Sequence, residues 1–407
     1  MNVDAKILPG ATIGMIGGGQ LGRMFAMAAA QMGYRVRVFC GSTEDPAAQV
    51  AAETVVAPLD DLEAAATFAR GCDVVTLEFE NIPAQTLAAC NDITATHPSA
   101  ECLATVQDRF LEKSFFANAG LPVTPFAAIA DSDQAREFGE RHGYPFILKT
   151  RRDGYDGKGQ HRIEQPSQID SIEFPPVGLG SGKNHASVEG ELSSVHPARE
   201  GHWIAERLID FVGEASVIVS RNLRGQTASF PVLANRHRDH ILELTTLPAD
   251  YGEASCEEAE AIAIAATKAL SLVGLLCVEL FRTGEGWLIN EVAPRPHNSG
   301  HVTIEACHVD QFEQHVRAVC NLPPGQTRMQ VPAAAMVNLL GQAIPATPAS
   351  AAWDAFWQHP AARMHCYGKQ SAKRNRKMGH VTVTGESREE VERIAIDIRD
   401  RLERGCG

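Results

Sequence analysis

A glycine-rich turn between a short apolar strand and a helical run is the feature that most constrains the fold of this chain. The run IGMIGGGQLGRM places Gly17, Gly19 and Gly22 in the spacing G-x-G-x-x-G. Such a turn presents backbone N–H groups at the start of a helix, where they can receive an anion. β-rich and helical runs then alternate to about residue 100. The pattern predicts a Rossmann-like parallel sheet with helices on its faces.

The anion at this turn is not identified by the glycines alone. A dinucleotide site requires an acidic residue near the end of the second strand, to hold the ribose. The second strand, RVRVFCGS, has none, and Glu44 and Asp45 come slightly late. A dinucleotide is therefore disfavoured, whereas a tight turn without any ligand stays possible.

Composition limits the class of protein. The 407 residues are 44% hydrophobic and 21% charged, which suits two or three globular domains. The net charge is −13 with both signs mixed along the chain, so we expect no nucleic-acid partner. Ten cysteines without a C-x-x-C pair, and no signal-peptide pattern, favour a cytoplasmic protein with reduced thiols. The apolar run at 25–30 is too short to span a membrane.

The pattern of helical, strand-like and loop-like runs divides the chain into three predicted parts. Residues 1–108 form the Rossmann-like domain, and residues 109–210 form a small domain of helices and strands. A Gly-, Ser- and Pro-rich stretch near 166–201 indicates a long inserted loop. Residues 211–407 contain alternating strands, a helix, a hairpin and a C-terminal subdomain.

Two segments combine charge with backbone features that suit phosphates and metal ions. Lys149 ends an apolar strand just before the loop GYDGKGQ, whose amides could enclose a phosphate; a flexible hairpin tip is the alternative. Glu279 and Glu291 lie on the two arms of a predicted hairpin, with Asn290 beside them. Facing carboxylates repel unless a cation lies between them, so they indicate a magnesium site, with a solvated strand face as the alternative.

Two further segments are rich in donors. APRPHNSGH, at 293–301, fixes Arg295 between prolines and suits contact with phosphate. Zinc held by His297 and His301 is the rival interpretation, but Pro296 and Gly300 oppose the helix that such a pair needs. YGKQSAKRNRKMGH, at 367–380, is the densest positive cluster in the chain, and indicates either a small phosphate ligand or a solvated basic turn.

The order and spacing of these segments resemble the ATP-grasp superfamily. Within it, GGGQLGRM, LEFEN, GYDGKGQ, NEVAPRPHNSGH, YGK and RKMGH resemble the N5-carboxyaminoimidazole ribonucleotide synthetase family over nearly the whole chain. The resemblance implies an α/β, in part α+β, ATP-grasp fold with a Rossmann-like N-terminal domain, a small lid domain and a C-terminal barrel-like domain. The stretch at 166–201 is longer than the family pattern leads us to expect.

The resemblance also implies a reaction. Such enzymes join bicarbonate to 5-aminoimidazole ribonucleotide in purine biosynthesis, cleaving ATP to ADP and phosphate through carboxyphosphate. Magnesium is the implied cofactor, ATP the co-substrate and a homodimer the implied assembly.

Site residues carry over by position from the family pattern. The magnesium carboxylates are Glu279 and Glu291, and the catalytic residues are Arg295, Asp156 and Lys158. The ATP-binding positions are Arg109, Lys149, Gly154, Tyr155, Asp156, Gly157, Lys158, Gly159, Gln160, Glu206, Arg207, Leu208, Ile209, Glu214, His237, Asn290 and Glu291. The ribonucleotide positions are Gln20, Leu21, Glu78, Tyr155, Asn298, Lys369, Arg376 and Lys377, the last three for its 5′-phosphate. Glu78 and Asp156 are both candidates to accept the proton of the amine.

Other functions fit parts of the pattern. A formate-dependent glycinamide ribonucleotide transformylase would share the glycine turn, the two carboxylates and the R-P-H loop. An ATP-binding regulator would keep the fold without turnover, but Lys149, Glu279, Glu291 and Arg295 are all present. A dehydrogenase would need the ribose acid that is missing after the second strand.

Overall fold

Three β-sheets organise the chain, which a computed structural model describes over residues 4–152, 159–175, 201–344 and 353–405. The first sheet has four parallel strands, the second four antiparallel strands, and the third nine antiparallel strands. Within the described ranges every helix is too short or too polar to cross a lipid bilayer.

The N-terminal sheet is the predicted Rossmann-like one. Its strands are β1 (Thr12–Ile16), β2 (Arg35–Cys40), β3 (Glu53–Val56) and β4 (Val74–Leu77), in the order β3-β2-β1-β4. Its helices are α1 (Gln20–Gln31), α2 (Leu62–Ala69), α3 (Ala84–Asn91) and α4 (Ala100–Val106). All four residues of β4 are buried, as expected for a parallel strand covered on both faces.

The second sheet forms the small domain. Helix α5 (Arg109–Asn118) leads into β5 (Phe126–Ile129), α6 (Ser132–His142), β6 (Phe146–Thr150), β7 (Gln160–Ile163) and β8 (Trp203–Arg207), with the strands in the order β5-β8-β6-β7. Asp108 caps α5 by accepting from the N–H groups of Phe110 and Leu111. Phe138, Phe146 and Leu148 form the core of this part.

The predicted inserted loop is not wholly irregular. Residues Pro166–Ser171 form a 3-10 helix, and Ile169 is fully buried against the small-domain core. An apolar side chain in a polar stretch gives too weak a pattern to be recognised as core, which is why the sequence suggests a surface loop there. Residues 176–200 lie outside the described part of the chain.

The third sheet carries most of the chain. Its elements are β9 (Gly213–Arg221), β10 (Thr227–Ser229), β11 (Leu233–Arg238), β12 (Ile241–Leu247), α7 (Glu253–Ala269), β13 (Gly274–Thr283), β14 (Gly286–Ala293), α8 (Thr303–Ala306), α9 (Gln311–Val319), β15 (Ala333–Leu340), α10 (Asp354–Trp357), β16 (Ala362–Cys366), β17 (Lys377–Gly385) and α11 (Arg388–Gly405). The strand order is β14-β13-β9-β11-β12-β15-β17-β16, with β10 beside β9. Among the described strands no pairing joins β14 to β16, so the sheet is open and backbone pairing does not close the expected barrel-like shape. The predicted boundaries at 108/109 and 210/211 stay predictions.

The glycine turn between β1 and α1 closes around a carboxylate of the protein itself. Glu78, directly after β4, accepts hydrogen bonds from the N–H groups of Gly19 and Gly22, the latter at 2.8 Å. A Cβ on Gly17 would lie 2.4 Å from Glu78 Cγ, so the glycines are what allow this approach. The amides that a dinucleotide would use are therefore already paired with a carboxylate at the start of α1.

The close approach of Glu78 predicts an unequal response to adding a methyl group at two glycines. Gly17 and Gly10 both have positive φ, +109° and +99°, but a Cβ on Gly10 meets nothing within 4 Å. We expect Gly17→Ala to lower the free energy of unfolding by about 3 kcal/mol, from backbone strain plus overlap, and Gly10→Ala by about 1 kcal/mol. Urea denaturation followed by circular dichroism measures both, and equal losses would contradict the packing of Glu78 in the turn.

Candidate active site

A cavity of about 590 Å³ is lined by residues from all three sheets and their connecting loops. Many positions named from the sequence meet there: Gln20, Leu21, Glu78, Arg109, Lys149, Gln160, Glu206, Arg207, Leu208, Ile209, Glu214, His237, Glu279, Asn290, Glu291, Arg295, Asn298 and Lys377. These residues are up to 357 positions apart in the sequence, between Gln20 and Lys377. The tertiary fold thus brings the separate motifs to one place.

Some predicted positions are not brought to the cavity wall, or cannot be located. Gly154, Tyr155, Asp156, Gly157 and Lys158 lie outside the described residues. The described Gly159 does not line the cavity; its carbonyl accepts from the N–H of Thr150.

The predicted phosphate-binding trio is only partly at the wall. Lys377 lines the cavity, whereas Lys369 lies beside it and donates to the Lys377 carbonyl at 2.7 Å. Arg376 is exposed and donates to the carbonyl and hydroxyl of Ser371, so the basic turn holds its guanidinium away from the wall. Neither Lys369 nor Arg376 lines the cavity in this structure, and their contact with the 5′-phosphate stays a prediction.

The two acidic residues of the hairpin face each other as predicted. Glu279 on β13 and Glu291 on β14 are direct cross-strand partners. The register then shifts, since Leu280 pairs with Ile289, and Asn290 is the extra residue of a β-bulge. A bulge redirects side chains next to the site where it occurs. It therefore brings Asn290 to the cavity wall together with Glu291.

These oxygen atoms fit a magnesium ion. The side-chain oxygen Oδ1 of Asn290 is buried and has no hydrogen-bond partner among the described residues. Two carboxylates and an amide oxygen are the hard donors that Mg²⁺ prefers, with phosphate oxygens or water completing the shell. His301 is instead enclosed by the rings of Phe312 and His380, so the zinc alternative has no support.

Glu279 is held by a histidine from the R-P-H loop. His297 Nε2 lies 3.0 Å from Glu279 Oε1, and His297 Nδ1 lies 2.9 Å from the Ser299 hydroxyl. Although burial opposes it, the hydrogen bond and charge of His297 lower the pKa of Glu279 to about 2. Glu279 is thus a fully ionised carboxylate of fixed orientation, as a cation site requires.

A buried lysine that the sequence interpretation missed joins the metal hairpin to the small domain. Lys113 on α5 is 1% exposed, and its ammonium donates to Thr124 Oγ1 at 3.0 Å and to the Asn290 carbonyl at 2.8 Å. It also lies 3.7 Å from the carboxylate of Glu206, which accepts from Lys149 at 2.9 Å. Lys113 therefore neutralises Glu206 and bonds the carbonyl of the bulge residue.

A second missed residue, Glu112, lines the cavity beside the predicted metal carboxylate. Burial first, and then the nearby charge of Glu291, raise the pKa of Glu112 to about 8, although Lys113 and Arg109 oppose this.

The spacing of four between Arg109 and Lys113 is a signal in the sequence, because such residues share a helix face. Charged helical residues usually face solvent, however, so the spacing alone does not indicate a site.

The side of the cavity near β9 and β11 combines polar and aromatic groups. Glu214 Oε2 lies 3.0 Å from His237 Nδ1, so two predicted positions form one pair. Phe211 and Phe281, which were not predicted, stack with their ring centroids 4.6 Å apart. Glu206 has one buried oxygen, Oε1, without a partner among the described residues. An aromatic surface beside unpaired acceptors suits a nucleobase with an amino group.

Arg295 is paired with a carboxylate that the sequence interpretation did not single out. Its Nε and Nη2 contact both oxygens of Glu80, the Nη2 contact being 2.9 Å, in a fork-to-fork arrangement. Although burial opposes it, Arg295 lowers the pKa of Glu80 to about 2. Glu80 lies in the quoted run LEFEN, two residues after Glu78, but nothing in that run shows which acid meets the arginine.

The opposite side of the cavity has a buried side-chain amide, which belongs to Asn298. Both Nδ2 and Oδ1 of Asn298 are buried without hydrogen-bond partners among the described residues. Burial raises the pKa of Glu78, although its hydrogen bonds from Gly22 and Gly19 partly offset this. With Lys377 on the same wall, this side offers a donor, an acceptor and a cation to a polar ligand.

Comparison with known proteins supports a close family assignment. Models of a ribonucleotide synthetase preATP-grasp domain, an ATP-grasp domain and a phosphoribosylaminoimidazole carboxylase C-terminal domain match residues 10–107, 114–312 and 334–394. An N5-carboxyaminoimidazole ribonucleotide synthase from Bacillus subtilis is 38% identical over 381 residues, which are 92% of each chain. A bifunctional purine synthesis protein from Dictyostelium discoideum is also 38% identical, over 92% of this chain but 37% of that longer protein.

Solved structures agree in fold over almost the full length. The ADP complex of an N5-carboxyaminoimidazole ribonucleotide synthetase has a TM-score of 0.87 at 39% identity, covering 99% of this chain and 100% of that one. An N5-carboxyaminoimidazole synthase from Aspergillus clavatus, in complex with ADP and 5-aminoimidazole ribonucleotide, has a TM-score of 0.83 at 28% identity, covering 99% and 100%. The ATP-grasp fold expected from the sequence is confirmed.

The position of Lys113 predicts that its charge stabilises the site. Lys113→Met keeps the length of the side chain, but leaves the Asn290 carbonyl unbonded and removes one cation from Glu206. We expect a loss of about 3 kcal/mol in the free energy of unfolding. Lys268→Met, on the exposed face of α7, removes the same charge and should change stability by less than about 0.5 kcal/mol. Similar stabilities of the two variants would contradict the prediction that the charge of Lys113 stabilises the site.

Proposed function

The chain belongs to the N5-carboxyaminoimidazole ribonucleotide synthase family of ATP-grasp proteins, and we propose that it joins bicarbonate to 5-aminoimidazole ribonucleotide with cleavage of ATP. One observation carries the proposal above all. The cavity has an aromatic and acidic side that suits ATP, and a separate side with Glu78, Asn298 and Lys377 that suits a second phosphorylated ligand. The two facing carboxylates of the hairpin line the same cavity.

The proposed reaction has two balanced steps. A bicarbonate oxygen attacks the γ-phosphorus of ATP, which forms carboxyphosphate and releases ADP. The exocyclic amine of the ribonucleotide then takes up the carbon of carboxyphosphate, or the CO₂ it releases, and loses a proton as phosphate leaves. Both steps need cations near phosphoryl oxygens and an enclosed site that keeps water from a mixed anhydride.

On the ATP side, residues 206–209, which end strand β8 and continue just past it, are proposed to bind the adenine. Their backbone would pair with the base edge, and the unpaired Oε1 of Glu206 is an acceptor for an amino group. Lys149 and Arg109 are cations on this side, and we propose that they contact phosphates. Glu214, already beside His237, is proposed to hold ribose hydroxyls.

Magnesium is proposed to bind between Glu279 and Glu291, with the amide oxygen of Asn290 alongside. When bound, it would neutralise charge on the transferred phosphoryl group. His297 fixes the orientation of Glu279 and Lys113 bonds the bulge at Asn290, so the protein holds these oxygens in place.

On the other side, Gln20, Leu21, Glu78 and Asn298 are proposed to contact the ribonucleotide, with its 5′-phosphate at the basic turn. Lys377 lies at the wall for this purpose, and Lys369 lies beside it with its ammonium on the Lys377 carbonyl. Arg376 would have to reorient its side chain to join them. Arg295 is proposed to steady carboxyphosphate, and its guanidinium is already oriented by Glu80.

The proton acceptor for the amine stays a choice between Glu78 and Asp156. Burial raises the pKa of Glu78, which makes its carboxylate a stronger base. The roles of Asp156 and Lys158 rest on the sequence resemblance, because both lie outside the described residues. The homodimer and the cytoplasmic location also stay predictions.

The choice of substrate is tested by a coupled assay of ADP release. We expect turnover that depends on both bicarbonate and 5-aminoimidazole ribonucleotide, with N5-carboxyaminoimidazole ribonucleotide as product. Turnover that requires glycinamide ribonucleotide and formate instead would identify the transformylase alternative. ATP binding without turnover on either substrate pair would favour a regulator.

The magnesium assignment is tested by removing one charge. Glu291→Gln should lower kcat for ADP release by at least about 100-fold, because the site loses half of its negative charge at nearly constant shape. Glu285→Gln, at the exposed end of the same hairpin, is the matched control and should leave kcat unchanged. Unchanged turnover in Glu291→Gln would remove the metal role from this residue.

A further inference from the structure

Three residues of the sequence motifs have no part in the proposed chemistry. His301 ends HNSGH, Tyr367 begins YGK and His380 ends RKMGH. All three are at most 1% exposed, although they are polar, and His301 lies far along the chain from the run that contains Tyr367 and His380. Their contacts show which neighbouring residues they hold in place.

The two histidines stack on each other, and the Tyr367 ring lies tilted against them. The rings of His301 and His380 are 4.5 Å apart and nearly parallel, and His365 continues the stack at 4.6 Å from His380. The Tyr367 hydroxyl lies 2.9 Å from His380 Nδ1, within hydrogen-bond distance. Phe312 closes the other end by stacking on His301.

Two rings of the stack, those of His301 and His380, have lowered pKa values and are therefore uncharged. Burial, together with neighbouring cationic or ionisable groups, lowers the pKa of both His301 and His380 well below the usual value. Neutral rings can pack against each other and lie near lysines without charge repulsion. His301 and His380 therefore add no positive charge near a turn that is already basic.

Tyr367 connects this stack to one lysine of the proposed phosphate site. The Lys369 ammonium lies 5.6 Å from the centre of the Tyr367 ring, a cation–π distance, and donates to the Lys377 carbonyl. Burial and the charge of Arg376 lower the pKa of Lys369 to about 8, while the carboxylate of Glu78 opposes this. Lys369 is thus held between the Tyr367 ring and the Lys377 carbonyl.

The same segment is anchored on its other side to the N-terminal domain. The Gly368 carbonyl accepts from Gln49 Nε2 at 2.8 Å, and Gln370 bonds Glu44. A Cβ on Gly368 would lie 2.4 Å from Gln49 Oε1, so the two parts are in close contact. The two neighbours of Lys369 in the chain are therefore both bonded to the N-terminal domain.

We propose that Tyr367, braced by His380 and His301, is a positioning residue that holds the Lys369 ammonium beside the phosphate-binding wall of the cavity. The inference rests on the proposed function in that the phosphate belongs to 5-aminoimidazole ribonucleotide. Tyr367 itself touches no substrate and acts through Lys369.

The first experiment compares two substitutions at Tyr367. Tyr367→Leu removes both the ring and the hydroxyl, and should raise the KM for 5-aminoimidazole ribonucleotide about tenfold, while the KM for ATP changes less than about twofold. Tyr367→Phe keeps the ring under Lys369, and loses only the bond to His380, so it should raise the ribonucleotide KM about threefold. An unchanged ribonucleotide KM in both variants would overturn the proposal.

The second experiment is a double-mutant cycle with Lys369→Met. If Tyr367 acts through Lys369, Tyr367→Leu or Tyr367→Phe should add less than about twofold to the ribonucleotide KM once the lysine is gone. Full additivity would overturn the positioning role. If Tyr367→Leu does not fold, the cycle with Tyr367→Phe decides alone.

A matched control separates positioning from loss of core packing. Tyr34 is another buried tyrosine, and its hydroxyl donates to the Ile7 carbonyl away from the cavity. Tyr34→Leu should cost comparable thermal stability, but leave the ribonucleotide KM unchanged. An equal rise of KM in Tyr34→Leu would show a general structural effect and overturn the proposal.

The outcome can be told apart from a failure of the proposed function. If the wild-type protein shows no turnover with 5-aminoimidazole ribonucleotide, the proposed function fails. The same cycle is then measured by calorimetric titration with inorganic phosphate. Weaker phosphate binding in Tyr367→Leu, lost in the Lys369→Met background, would support the positioning role, whereas phosphate binding unaffected by Tyr367, or absent from the wild type, would overturn it.

Discussion

Burying an ionised side chain costs several kcal/mol unless a partner of opposite charge or several hydrogen bonds compensate it, and this constraint organises the cavity. Lys113 lies against Glu206, which it shares with Lys149, and Arg295 engages both oxygens of Glu80. The Lys113 ammonium also bonds a carbonyl of the third sheet, and Glu80 and Arg295 belong to the first and the third part of the chain. The charges that the chemistry needs are therefore also the contacts that fix the three sheets around one cavity.

Two local backbone devices place the remaining polar groups. The glycine turn lets the helix amides of α1 reach Glu78, so a carboxylate is held at the cavity wall where other proteins with such turns bind a ligand phosphate. The bulge at Asn290 turns an amide toward the cavity beside Glu291, and its own carbonyl is bonded by Lys113. Both devices depend on a partner from a distant part of the chain.

The basic turn illustrates how motif residues divide between contact and support. Lys377 lies at the cavity wall, while Tyr367 and His380 are buried and contact each other through the Tyr367 hydroxyl. All three lie in the run YGKQSAKRNRKMGH, and each has a polar side chain that could belong to a site. Burial, which is a property of the folded chain, separates the residue that can meet a ligand from those that hold it in place.

The sequence by itself determined the parallel sheet, the hairpin with facing carboxylates and the family, because strand alternation, turn glycines and motif spacing are local signals. Glu279 and Glu291 are cross-strand partners as the hairpin pattern predicts. Only the tertiary structure decided that Glu78 fills the glycine turn, that Glu80 meets Arg295 and that Lys113 lies under the bulge. The reason is physical: these contacts join residues 56 to 215 positions apart, and a pairing of buried charges leaves no periodic trace in either segment.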